Sequence, residues 1–317
     1  MKLRLRSLAV AAMLTGLAAG LAACGDDGGS ATAQPATGAG GKLAVVATTT
    51  QVADFARNIG GDRVAVTQII KPNIDPHDYE PTPADLTAIG AAKVLVKSGV
   101  GLEEWLDATI TSAGFKGAMV DSSTGVKIRQ GEGDEAEHGD PHIWHDPRNA
   151  KIMAQNIEKA FSAAATADAA TFAKNLADYS AKLDALDADI AAKIGRLPAD
   201  NRKLVTNHDA LGYYIDRYQL QFVGSIIPSF DTSAELSAKD VDDIVAKIKQ
   251  TGAKAVFSES SLPPKTAEAI AKQAGVKVVA GEDALYGDTL GPVGSAGDTY
   301  LKMEEHNTDT IVKALGG

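Results

Sequence analysis

From Pro147 to Arg196 this chain contains nothing that reads as a strand, whereas short apolar, β-branched runs punctuate both flanks. Four runs precede it (Leu43–Ala47, Val64–Ile70, Lys93–Lys97 and Ala118–Val120), and four follow (Lys203–Thr206, Gln221–Ile227, Ala253–Phe257 and Val276–Val279). Most lead into helical patterns, among them Val52–Ile59, Pro83–Ala92, Leu102–Ser112, Tyr213–Tyr218, Ala238–Thr251 and Pro264–Ala274. Parallel strands need a crossover long enough for a helix, and their sheets are covered on both faces. The pattern therefore predicts an α/β protein of two lobes, each with a mainly parallel four-stranded sheet flanked by helices. The strandless stretch predicts one helix to about Ala165, a cap at Thr166-Ala167-Asp168, and a second helix to about Arg196. In the second, Phe172, Leu176, Tyr179, Leu183, Leu186, Ile190 and Ile194 recur at spacings of three and four, which makes one apolar stripe. At 1.5 Å per residue such a helix reaches roughly 40 Å, enough to run along both lobes and join them. The expected division is 42–166 for the first lobe, 167–196 for the linking helix and 197–317 for the second lobe. A single stiff connection admits only a small hinge motion.

The first forty residues follow other rules. Lys2, Arg4 and Arg6 precede an apolar run from Leu8 to Leu21, which closes on Leu21-Ala22-Ala23-Cys24-Gly25 around the sole cysteine. The run is too short to span a bilayer and reads as a signal peptide, residues 1–23, cleaved before Cys24. Acyl chains on that cysteine would hold the protein at a membrane surface outside the cytoplasm. Residues 24–41, rich in Gly, Ala, Ser, Thr and Pro, read as a disordered tether. With Cys24 acylated, no thiol remains for a disulfide. Losing Lys2, Arg4 and Arg6 with the leader takes the formal net charge from −10 to −13. An acidic chain with no basic patch excludes nucleic acid as a partner and suits the attraction of cations.

The histidines are placed unevenly. His142 and His145 lie in Asp140-Pro141-His142-Ile143-Trp144-His145-Asp146-Pro147, where Asp146 can cap a helix and Pro147 suits its first position. His77 lies in Asp75-Pro76-His77-Asp78-Tyr79-Glu80-Pro81-Thr82-Pro83, and His208 follows an apolar strand in Asn207-His208-Asp209. In parallel α/β sheets ligands bind outside the carboxyl ends of the strands, and His77, His142 and His208 all sit on loops at those ends. Three loop-borne imidazoles backed by acids point to a divalent transition-metal site. For a fourth ligand the residues leave Asp283, after the last strand, and Glu259, after the seventh, evenly matched. His145 reads as a supporting or surface residue, and His138, in an acidic loop, as at most a loose gatherer of cations.

Taken together, the lipobox, Asp75-Pro76-His77-x-Tyr79-Glu80-Pro81-Thr82-Pro83, Asp140-Pro141-His142-Ile143-Trp144, His208-Asp209-Ala210-x-Gly212-Tyr213, Ser258-Glu259-Ser260 and Asp283-Ala284-Leu285 resemble a known family. They are similar to the metal-specific solute-binding lipoproteins of bacterial ABC importers, the ZnuA/TroA-like group. The resemblance implies two lobes on one long helix, a metal ion between them, and His77, His142, His208 and Asp283 as its ligands. Glu259 is then left in a supporting role. In manganese-dedicated relatives the third ligand is usually Glu. His208 in that place favours zinc, with manganese as the alternative. The expected protein is a monomer that hands its ion to an ABC permease and does no chemistry on it. Two readings from other classes stand beside it: a zinc-dependent hydrolase, which needs an open coordination position for water, and a surface adhesin. Because imidazole must be neutral to bind metal, affinity is expected to fall as pH drops through roughly 6.5.

Overall fold

The computed structural model describes residues 41–131 and 139–316. Cys24, the leader, the tether and His138 lie outside the described residues. All eight strands form where the apolar runs place them. Strands β1 (Leu43–Ala47), β2 (Val64–Gln68), β3 (Val94–Lys97) and β4 (Ala118–Asp121) make one wholly parallel sheet in the order β2-β1-β3-β4. The second half, β5 (Lys203–Thr206), β6 (Gln221–Ser225), β7 (Ala255–Phe257) and β8 (Lys277–Val279), forms two parallel pairs, β5-β6 and β7-β8. There β7 lies beside β5 without a continuous ladder, so the expected four-stranded sheet is hydrogen-bonded as two.

Helices fill the crossovers: α1 (Thr50–Gly60), α2 (Pro83–Ala91), α3 (Leu106–Ser112), α4 (Pro147–Ala164), α5 (Ala169–Gly195), α6 (Gly212–Tyr218), α7 (Ala238–Thr251), α8 (Lys265–Ala274) and α9 (Tyr300–Gly316). Their starts are chemical. Thr82 and Asp85 form a capping box on α2, with Pro83 at its first turn, and Ser237 and Asp240 do the same for α7. Helix α3 begins later than the Leu102 its pattern predicts. The buried Glu103 carboxylate instead accepts from Ser98 N, Gly99 N and Thr48 Oγ1, which holds residues 98–103 as a turn.

Helix α5 behaves as its periodicity predicts, burying Phe172, Tyr179, Leu183, Leu186, Ile190 and Ile194. It packs on α1 and α4 from one half and on α6 and α9 from the other. A continuous apolar core runs from Val45 and Phe55 through Phe172 and Ile190 to Tyr300 and Leu315. Smaller clusters fill the outer faces, around Ile70 and Leu95 in the first half and around Ile244 and Val256 in the second. Residues 41–317 therefore cluster as one compact unit. Among the described residues no helix is long and apolar enough to cross a membrane.

Candidate metal centre

Four chain segments bring side chains to one point, each from the loop beyond a strand's carboxyl end. His77 stands nine residues past β2, on a loop stiffened by its own acid, since His77 N donates to Asp75 Oδ1 at 2.9 Å. His142 lies beyond β4, just before the short 3-10 turn Ile143–His145. Asp146 then caps α4 by accepting from Arg148 N, with Pro147 in the first turn as expected. His208 follows β5 within two residues. The fourth arrival is Asp288.

Their ligand atoms all lie within 4.8 Å of one another. His142 Nε2 is 3.3 Å from His77 Nε2 and 3.3 Å from His208 Nε2. Asp288 Oδ1 is 3.3 Å from His142 Nε2, 3.4 Å from His208 Nε2 and 3.9 Å from His77 Nε2. A regular tetrahedron with bonds of about 2.0–2.1 Å has edges of about 3.3–3.4 Å. Asp288 is wholly buried, yet among the described residues neither of its oxygens accepts a well-aligned hydrogen bond. Burying a carboxylate costs several kcal/mol unless positive charge lies beside it, and here that place is lined by three imidazole nitrogens, a setting that suits a cation.

Two of the rings are fixed from behind. His142 Nδ1 bonds Asp140 Oδ1 at 2.9 Å, and Asp140 Oδ2 receives Arg129 Nη1 at 2.5 Å. His208 Nδ1 bonds Glu259 Oε1 at 2.8 Å, and the same oxygen accepts from His208 N. Such carboxylates fix the tautomer that presents Nε2. They also shape the charge. Burial opposes protonation of His142, but Asp140 and Asp288 outweigh it and push this imidazole up to about 9. Asp288 and Glu259 likewise overcome burial to hold His208 well above its ordinary value. For Asp288, the surrounding rings outweigh burial and hold the carboxyl well below its usual range. His77 goes the other way: burial outweighs Asp288 and lowers it to about 4.

The structure brings His77, His142 and His208 together and leaves Asp283 out. Asp283 ends an exposed 3-10 turn, Gly281–Asp283, and faces Lys313 Nζ of α9 at 3.3 Å. Only after it does the chain turn inward. Leu285 pairs with Glu259 in a parallel bridge, Tyr286 and Gly287 follow it into the core, and Asp288 reaches the histidines five residues beyond Asp283. No local sequence signal separates the two acids: the inward turn after Asp283 is set by the bridge between Leu285 and Glu259 and by Asn307, which bonds Tyr286. Glu259, the rival for the fourth position, holds His208 instead. His145 is not a surface residue: it is wholly buried, with its ring bonded to Glu304 and to Gly287 O.

Residues 45–314 match the family described as zinc-uptake complex component A, periplasmic (ZnuA). The chain is 34% identical over 302 residues to the manganese-binding lipoprotein MntA of Bacillus subtilis, covering 93% of this chain and 95% of that one. It is 33% identical over 279 residues to the zinc-binding protein TroA of Treponema pallidum, covering 87% and 90%. The solved structure of that periplasmic zinc-binding protein superposes with a TM-score of 0.80 at 30% identity, covering 87% of this chain and 99% of the other.

Proposed function

The chain belongs to the ZnuA family of periplasmic zinc-uptake components, and we propose that it captures zinc at His77, His142, His208 and Asp288 for delivery to an ABC permease. One observation carries the assignment of these residues: three Nε2 atoms and one buried carboxylate oxygen lie within 4.8 Å of one another, four of their separations at 3.3–3.4 Å, the edge length of a zinc tetrahedron. Nitrogen-rich donors at that spacing favour zinc. Manganese is the second reading. Asp288 Oδ2 is also unpartnered among the described residues, so the carboxylate can offer both oxygens to a larger ion, and MntA is named for manganese. The zinc hydrolase is disfavoured by the same geometry, because four protein donors fill a tetrahedral shell and leave no position for an activated water.

In this reading the ion is cargo, and the protein's chemistry is coordination and release. Acylation at Cys24 would keep the monomer outside the cytoplasm and close to its permease. The shared core along α5 argues for release through local movement at the site, since wide separation of the halves would expose that apolar surface. The test is the metal content of mature protein purified without chelator, beside a His208→Ala variant. Stoichiometric zinc that disappears in the variant is expected. A wild-type protein that takes up neither zinc nor manganese would end the proposal.

A further inference from the structure

Asp288 takes its place from its backbone. Its carboxylate meets no well-aligned hydrogen-bond donor among the described residues; Oδ1 is held only by charge, facing the Nε2 atoms of His142, His208 and His77 at 3.3, 3.4 and 3.9 Å. The backbone around it is gripped by side chains from three elements. Asn307 of α9 accepts from Tyr286 N at 2.9 Å and donates to Tyr286 O at 2.8 Å. Gln51 of α1 donates to Asp288 O at 2.8 Å. Between them the Gly287 carbonyl accepts twice, from Trp144 Nε1 at 3.1 Å and from His145 Nε2 at 2.9 Å. A carbonyl oxygen has two lone pairs, and both are used here.

His145 is the member of this grip that sequence reasoning did not explain. It lies three residues after His142, and the 3-10 turn sends its ring toward α9. Gly287 O can only accept, so Nε2 must carry a hydrogen. Nδ1 and Glu304 Oε1 lie 2.8 Å apart and share one hydrogen, which fixes the plane of the ring while Nε2 keeps its own hydrogen for Gly287 O. Gly287 has no room for a side chain: a Cβ there would meet Glu259 Oε2 at 2.1 Å, on the carboxylate that also holds His208. An acidic side chain held only by charge to the rings it faces gains its direction from this kind of backbone fixation.

We propose that His145, held by Glu304, is a positioning residue that presents Asp288 through a single oxygen and thereby favours zinc over manganese. This rests on the metal-binding reading above. Loosening the Gly287 peptide would let the carboxylate turn and bring in Oδ2, an arrangement of higher coordination number that suits manganese better than tetrahedral zinc.

The test compares wild type with His145→Phe, which keeps a buried ring but removes the donor, and with His145→Gln, whose amide can again donate to Gly287 O. Each is titrated with zinc and with manganese, and its visible absorption is recorded when loaded with Co(II). His145→Phe should lose about 10- to 100-fold in zinc affinity and less in manganese affinity. Its Co(II) bands should weaken as tetrahedral geometry is lost. His145→Gln should recover most of the zinc affinity and of the band intensity. A His145→Phe protein with the wild-type Co(II) spectrum and zinc-to-manganese ratio overturns the proposal. So does equal impairment in both variants when the metal-free proteins melt as the wild type does. If His145→Phe does not fold, His145→Gln decides alone: a spectrum unlike wild type refutes the donor role. Failure of wild type to bind either ion would instead strike the binding reading itself.

Discussion

His142 and His77 offer Nε2 atoms to the same point, 3.3 Å apart, yet they are held in opposite ways. His142 is fully buried, with Asp140 on its Nδ1 and Arg129 behind that acid. His77 has no carboxylate on its Nδ1 among the described residues, and it alone of the four lines an open cleft of about 370 Å³, with Val100, Pro141, Phe230 and Asp231. Their charge preferences diverge as well, toward about 9 for His142 and about 4 for His77. The cluster therefore combines a buried bed of His142, His208 and Asp288 with one imidazole at the edge of a cleft, on a loop tied down by few hydrogen bonds. If these residues hold the ion as proposed, the bed is expected to supply most of the affinity and the loop to set how quickly the ion enters and leaves.

The largest effect expected from this contrast lies in ligand removal. Structural zinc sites are worth about 10–16 kcal/mol, so an equal share for each of four ligands is roughly 3 kcal/mol, or about 10²-fold in affinity. His142→Ala should exceed that share, because it also takes the imidazole partner from the buried Asp140, which keeps only Arg129 and the backbone N of residue 142. His77→Ala should fall below it in affinity while accelerating release more than any other single ligand change. Chelator competition gives the affinities, and stopped-flow transfer to a chromophoric chelator gives the release rates. Equal losses and equal rates in the two variants would erase the distinction between bed and loop.

The same contrast explains what could be read from the sequence. All eight strands and the long helix were legible because each is a local pattern: β-branched runs for parallel strands, and a three-four spacing for α5. The histidines were legible because loops beyond strand ends converge in such folds. Asp288 was not, since choosing among acids requires knowing where the chain re-enters the core. That turn depends on the Leu285–Glu259 bridge and on Asn307, which are contacts made far along the sequence. His145 escaped for a similar reason. Its partners, Gly287 and Glu304, lie 142 and 159 residues away, and nothing in its own neighbourhood marks it as buried.

The pH response sharpens the comparison at a smaller scale. His142 in the metal-free fold is raised from 6.5 to about 9, so its contribution to folding is fully present below pH 6.5 and is lost as pH rises through 9. Metal requires the neutral ring and must displace that proton. Zinc affinity should therefore keep rising between pH 6.5 and 9, above the window expected for an unperturbed imidazole. His77, lowered to about 4, is already neutral there and adds no slope. The melting temperature of metal-free wild type, relative to His142→Gln, should decline over the same interval. Calorimetry in buffers of different ionisation enthalpy should register proton release on zinc binding at pH 7.5. A flat affinity profile above pH 7 would mean that the bed and the loop titrate alike.

The smallest expected effect concerns what ties the loop down. Asp75 uses one oxygen to hold His77 N and the other to accept from Thr232 Oγ1 at 2.6 Å, across from the second half of the chain. A second tie runs from Asn73 N to Thr289 Oγ1, next to Asp288, at 3.0 Å. Thr232→Val keeps the shape of the side chain and removes the donor. A hydrogen bond of this kind contributes about 1 kcal/mol, or roughly fivefold in a rate or equilibrium constant. Zinc release should quicken by about that factor, while the bed, and with it the Co(II) spectrum, stays as in wild type. An altered spectrum would mean that Thr232 reaches into the bed. Unchanged release would leave Asn73 and Thr289 as the sufficient hold, and His77 would then move only with the residue beside Asp288, as part of the bed it was contrasted with.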